Sequence, residues 1–103
     1  MKLELSLVED FGSQLGDGGQ AAEYRLGRVD PYIDLCEEIV LDFSGVRTAN
    51  SSFINALVAG LVEHQGARVL KMLIFKGCNP VIQVLVESAI DLGLQKIEGR
   101  IDA

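Results

Sequence analysis

A small α/β layer structure, with a short and mostly parallel sheet packed by about three helices, is predicted by three features of the chain. Apolar runs of strand length, around residues 39–43 and 70–75, alternate with longer stretches of helical periodicity. Glycine or proline punctuates most of the junctions between them. A length of 103 residues, 49% hydrophobic and 23% charged, suffices for one core, so residues 1–103 form a single domain.

The elements follow in order. Leu3, Leu5 and Leu7 alternate with Lys2, Glu4 and Ser6, which predicts a half-buried strand ending near Val8. Phe11-Gly12 and Gly16-Asp17-Gly18-Gly19 make a glycine-rich connection without the lysine of a phosphate loop, read as a turn into a helix. From Gln20 to about Cys36, residues Ala21, Ala22, Leu26, Val29, Ile33 and Leu35 share a broad apolar face, leaving Glu23, Arg25, Arg28 and Asp34 toward solvent. Pro31 interrupts this helix, and Asp30 is placed to cap a restart there. Ile39, Val40, Leu41 and Phe43 read as a central strand covered on both faces.

After the Ser44-Gly45 turn, a helix is predicted from Ser52 to about Gln65, with Phe53, Leu57, Val58, Leu61 and Val62 on one stripe and Gly66 closing it. Leu70–Phe75 is a third strand. Pro80 opens a last helix carrying Val81, Ile82, Val84, Leu85, Val86, Ala89, Ile90 and Leu92, with its end expected at Gly93. Leu94–Ile101 is left as a short strand or a frayed end. Right-handed crossovers are expected between the parallel strands.

Composition narrows the functions. A net charge of −6 with nine scattered basic residues argues against nucleic acid and against an anionic membrane surface. No apolar run approaches the roughly 20 residues of a membrane span, and the N-terminus lacks the apolar core of a signal peptide, so a cytoplasmic protein is expected. Cys36 and Cys78 have no metal-ligand spacing and read as small buried hydrophobes. No catalytic constellation, metal site or cofactor motif stands out. His64 is the sole histidine and sits late in a helix, while Asp42 is expected to accept hydrogen bonds from the turn at Ser44-Gly45.

The corner Asn50-Ser51-Ser52-Phe53, between a strand and a helix N-terminus, is the candidate functional site. With Asp42-Phe43-Ser44-Gly45-Val46 before it and Ser51-Ser52-Phe53 opening the helix, the chain resembles the STAS-like domain of unknown function. This bacterial family is related to the STAS (sulphate transporter and anti-sigma-factor antagonist) fold. The resemblance runs from about Phe11 to Leu94 and takes in Phe11-Gly12 followed by an arginine-containing helix.

It implies a non-enzymatic regulatory protein-interaction module with a protein partner, such as a kinase-like ATPase. Anti-sigma-factor antagonists carry Asp-Ser-Ser/Thr-Gly at this corner, and the first serine is phosphorylated. Carried over, Ser51 is the phosphorylation candidate and Ser52 its alternate, with Asn50 and Phe53 replacing the Asp and the Gly. Partner docking is accordingly expected at Asn50, Ser51, Ser52 and Phe53.

Two other functions stay open. One is a small-molecule or nucleotide-binding α/β domain using the C-terminal strand ends, with Asp42 and His64 as its titratable groups. The other is a constitutive structural module, in which the wide apolar face of the last helix buries against a second copy or a larger partner. Asn50 or Ser51 also has a purely structural reading as a helix N-cap.

Overall fold

Alternation at the N-terminus produces strand β1 (Lys2–Ser6), but the chain turns helical two residues before the expected end. Ser6 accepts the Glu9 N–H at 3.5 Å and caps helix α1 (Leu7–Phe11), whose Leu7 is fully buried. Ser6-Leu7-Val8-Glu9 is the S-x-x-E signature of a helix start, which the apolar alternation masked. The structure, a computed structural model, describes residues 1–101 and the side chains of residues 1–99.

The glycine-rich connection contains a two-residue strand, β2 (Gln14–Leu15), and leads into helix α2 (Gly18–Tyr24). Asp17 caps that helix, accepting the N–H groups of Gly19 and Gln20 at 2.9 and 3.2 Å. Helix α2 continues as a π-helical segment, Arg25–Val29, and a 3₁₀ turn, Asp30–Tyr32. Asp30 therefore caps no restart; its carboxylate is committed to Arg25. Leu26 and Leu35, expected on the apolar face, are exposed: Leu26 lies in the π-helical segment, which changes the residue spacing, and Leu35 in the turn that follows the 3₁₀ segment.

Strand β3 (Glu38–Asp42) lies between β1 and β5 (Leu73–Lys76), and both pairings are parallel. Leu3, Leu5, Ile39, Leu41, Leu73 and Phe75 face the core. The third strand begins at Leu73 rather than Leu70, because Ala67–Lys71 form a 3₁₀ turn.

The residues of β3 are buried on both faces, as expected, but the two faces are covered differently. Val40 is buried but lies outside the core cluster, in a row with Glu4 and the 41%-exposed Ile74. On this outer face the Lys76 ammonium reaches Glu4 across the central strand at 3.8 Å. A second, two-stranded parallel pair joins β2 to β4 (Thr48–Ala49), so residues 12–19 form no hairpin.

The central rod runs from α3 (Ser51–Ile54) through a π-helical segment (Asn55–Ala59) to α4 (Gly60–Gln65), where Gly66 at φ +85° ends it. Beyond the predicted stripe, Ile54 and Ala59 are buried as well, since α2 and the last helix both pack on the rod. That last helix, α5 (Pro80–Ile101), begins at Pro80 with Asn79 accepting the Ile82 N–H at 2.9 Å.

Helix α5 neither stops at Gly93 nor gives way to a strand. Gly93 lies against the rod: a Cβ there would come within 2.8 Å of Val62 Cβ and 3.0 Å of the Ala59 carbonyl oxygen. The glycine is a packing notch, and the helix runs on through it.

Arg25, expected on the solvent side, is the buried charged residue of the described core at 6% exposure. Its Nη1 donates to Asp30 Oδ2 at 2.7 Å, and its Nε donates to the Ala56 carbonyl oxygen at 3.1 Å. Ala56 belongs to the π-helical segment of the rod, where the shift from i→i+4 bonding loosens the carbonyl ladder. Gly60 makes room for the guanidinium, since a Cβ there would meet Arg25 Nε at 2.8 Å. One side chain thus bolts the two bulged helices together.

Gly93→Val should destabilise the fold by about 2–3 kcal/mol through overpacking. Gly99→Ala, in open space on the same helix, should stabilise it by up to about 1 kcal/mol. Thermal melts of the two variants should therefore move in opposite directions. Arg25→Met should cost about 3 kcal/mol by stranding the Asp30 carboxylate, and the double variant with Asp30→Leu should recover much of that loss in urea denaturation.

Candidate functional site

The corner is built by Asn50. Its Oδ1 accepts the Phe53 N–H at 2.9 Å, capping α3, while its Nδ2 donates to the Gly16 carbonyl oxygen at 2.8 Å. Its own N–H donates to the Leu15 carbonyl oxygen at 2.9 Å. Helix capping and the β2–β4 junction are therefore joined through one residue. An aspartate at this position would cap the helix but has no N–H to give Gly16. The amide therefore carries a link that a carboxylate cannot make.

Ser51 and Ser52 are the first two residues of the helix, and both are exposed. Their settings differ. A Cβ on Gly18 would sit 2.5 Å from Ser52 Oγ, so the start of α2 is pressed against Ser52. Ser51 has no such neighbour among the glycines of α2. Because Asn50 takes the Phe53 N–H, the N–H groups of Ser51 and Ser52 are left for solvent or an incoming anion.

Phe53, counted from the sequence among the partner-facing residues, turns inward at 1% exposure. Its ring meets Phe11 edge-on at a centroid distance of 5.0 Å, and Phe11 in turn meets Tyr24 at 4.9 Å. The Tyr24 hydroxyl donates to Asp10 Oδ2 at 2.6 Å, and burial together with this carboxylate raises its pKa above the ordinary tyrosine value. Phe53 therefore supports the corner from beneath, through an aromatic stack that ties α1, α2 and α3, and offers no surface to a partner.

Beside the corner, Gln14, Leu15, Gly16, Thr48, Ala49 and Asn50 line a shallow cleft of about 280 Å³. On the other side lies the start of α5, a helix that contacts both α3 and β4. Asn79 Nδ2 fastens it by donating to the Arg47 carbonyl oxygen at 3.1 Å and, at 3.4 Å, to that of Val46. Val81 and Val84 on its first turns are each 61% exposed, next to Pro80 and Leu85. The excess apolar surface expected of this helix is thus confined to its N-terminal end, while Ile82, Val86 and Ala89 are buried in the core.

The other titratable candidates do not join this site. Asp42 accepts the Ser44 N–H at 2.9 Å, and hydrogen bonds from the Ser44 side chain and backbone hold its carboxyl below the usual value. Burial and the nearby Asp42 charge push the Cys78 thiol up. His64 is exposed on α4. Cys36 is buried and Cys78 half-buried, and both are free. Among the described residues no group of three or more His, Cys, Asp or Glu side chains could hold a metal ion, and no helix is long and apolar enough to cross a membrane.

The expected N-cap at this helix start is Asn50 rather than Ser51, and its second bond, to the Gly16 carbonyl, had no signal in the sequence. Asp17 before Gly18-Gly19 carried a readable capping signal. The two-residue strands β2 and β4 are too short for any periodicity. Asn50→Ala should destabilise the protein by about 2 kcal/mol, losing a cap and a bridge, whereas Asn50→Asp should retain the cap and lose about half as much. Chemical denaturation of the pair measures the difference.

The family model described as STAS-like domain of unknown function matches residues 26–83, more than half of the chain. No curated protein and no solved structure matches the chain closely enough to count as a relative. The matched stretch holds β3, the Asn50 corner, the helical rod and β5. Through it the chain belongs to the STAS-like family, whose function the family description leaves unassigned.

Proposed function

We propose that this chain is a non-enzymatic regulatory module that docks a protein partner at the Asn50–Ser52 corner, with Ser51 as a phosphoswitch. The observation that carries the reading is the contrast within the corner. Asn50 and the buried Phe53 hold the backbone, while Ser51 stands exposed at the first position of a helical rod.

A phosphate on Ser51 would add roughly −1.5 to −2 charges beside unpaired N–H groups and the positive end of the helix dipole, so the fold tolerates it. The surface changes sharply instead, on a chain already at −6. The footprint extends toward the exposed Val81 and Val84, because the rod itself offers little: Leu57, Val58, Ala59, Leu61 and Val62 are all buried. A kinase-like ATPase is the partner class the family resemblance suggests, and a cytoplasmic setting suits it. Ser52, pressed against Gly18, is the second candidate for modification.

The test isolates the protein with its associated proteins from its own cell and maps phosphosites by mass spectrometry. Phosphate is expected on Ser51. With the recovered partner in hand, Ser51→Asp should weaken binding by about tenfold, or 1.4 kcal/mol, while Ser51→Ala and Gln95→Asp, exposed in the C-terminal half of α5 and away from Val81 and Val84, leave it unchanged. A partner that binds Ser51→Asp as tightly as the parent chain would sink the proposal.

A further inference from the structure

We propose that the open edge of β5, with the cleft between β5 and α5, receives an extended basic peptide segment of another protein as a fourth strand of the sheet. This inference is independent of the Asn50 corner. It starts from the backbone. The Ile39 N–H donates to the Met72 carbonyl oxygen at 2.9 Å, and the Phe43 N–H to that of Lys76 at 2.7 Å. In a parallel ladder successive residues turn their peptide groups to alternate sides. Met72, Ile74 and Lys76 therefore face β3, and Leu73 and Phe75 present their N–H and C=O groups outward, with β3 as the sole strand neighbour of β5 among the described residues.

Such a row is a template for another strand unless the edge is blunted. No proline or bulge interrupts β5, and its terminal Lys76 is drawn across the outer face toward Glu4. On the core side of the edge opens a cleft of about 390 Å³, lined by Phe75, Gly77, Cys78, Val86, Glu87 and Ile90.

The occupant's chemistry follows. An extended segment satisfies the Leu73 and Phe75 peptide groups and sends alternate side chains into the cleft, where Phe75, Val86 and Ile90 favour apolar ones. Glu87, exposed at the cleft, and the net charge of −6 favour lysine or arginine beside them. A second copy of this chain would instead bring another −6 and another Glu87 to the same edge.

The probe is a short blocked peptide alternating lysine and valine, added to the full chain, with amide hydrogen exchange read residue by residue. In the free protein Leu73 and Phe75 should exchange fast, and Ile74 and Lys76 slowly. Saturating peptide should slow Leu73 and Phe75 by about tenfold or more. N-methylating the peptide backbone, or Glu87→Lys in the protein, should each weaken binding by about tenfold. Unchanged exchange at Leu73 and Phe75, equal binding of the N-methylated peptide, or equal binding by Glu87→Lys would overturn the proposal. So would protection of the same amides that grows with protein concentration alone, the mark of a second copy.

Discussion

The Arg25 clamp is the interaction on which the rest of the structure depends. A buried guanidinium must be paired, and here it is paired to Asp30 within its own helix and to the Ala56 carbonyl oxygen of the rod. The second bond turns a local ion pair into a tertiary one. It fixes α2 against the rod at the level of both π-helical segments, and Gly60 allows the approach. With α2 fixed there, its N-terminal end comes to rest on Ser52 and its Tyr24 on Phe11, which places the floor of the corner. Asp30 Oδ1 is buried without a hydrogen-bond partner, so the carboxylate relies on Arg25 for its one strong contact.

The corner divides its residues between support and display. Phe53 and Asn50 support it, one by filling the space above Phe11 and the other by hydrogen bonds in two directions. Each is held in place by a specific neighbour. The ring needs the aromatic partner that α1 supplies, and the amide needs the Gly16 carbonyl that the β2–β4 pair supplies. Ser51 is left on display. A switch residue benefits from this arrangement, since a rigid base lets added charge alter the surface without unfolding the helix.

The sheet is used asymmetrically. Parallel sheets are commonly covered on both faces, yet here all the core-facing strand residues point one way, and charged side chains spread over the other. In the three-stranded sheet β5 is an edge strand, and the cleft opens between it and α5. The corner and the β5 edge therefore differ in chemistry: side-chain hydroxyls at a helix start in one, and backbone groups beside a cleft of mixed polar and apolar lining in the other.

Local pattern was enough to determine much of this protein. Continuous β-branched and leucine runs produce buried strands, and the DFSGV and SSF stretches place the corner and the family. Pro80 and Gly66 mark helix ends through rules that act within a few residues. Tertiary packing decided the rest, because the deciding neighbours are far away in sequence. Arg25 is polar by composition but buried through a carbonyl 31 residues on. Gly93 looks like a helix end but is a notch for Val62, and the β2–β4 pair joins residues some 34 positions apart, with the Asn50 amide bonded to Gly16 beside it. Val40 reads as doubly buried, yet an ion pair, rather than a helix, spans its outer side. A single sequence carries the propensity of each residue; which distant group meets its hydrogen bonds or fills its space is settled only when the chain has closed on itself.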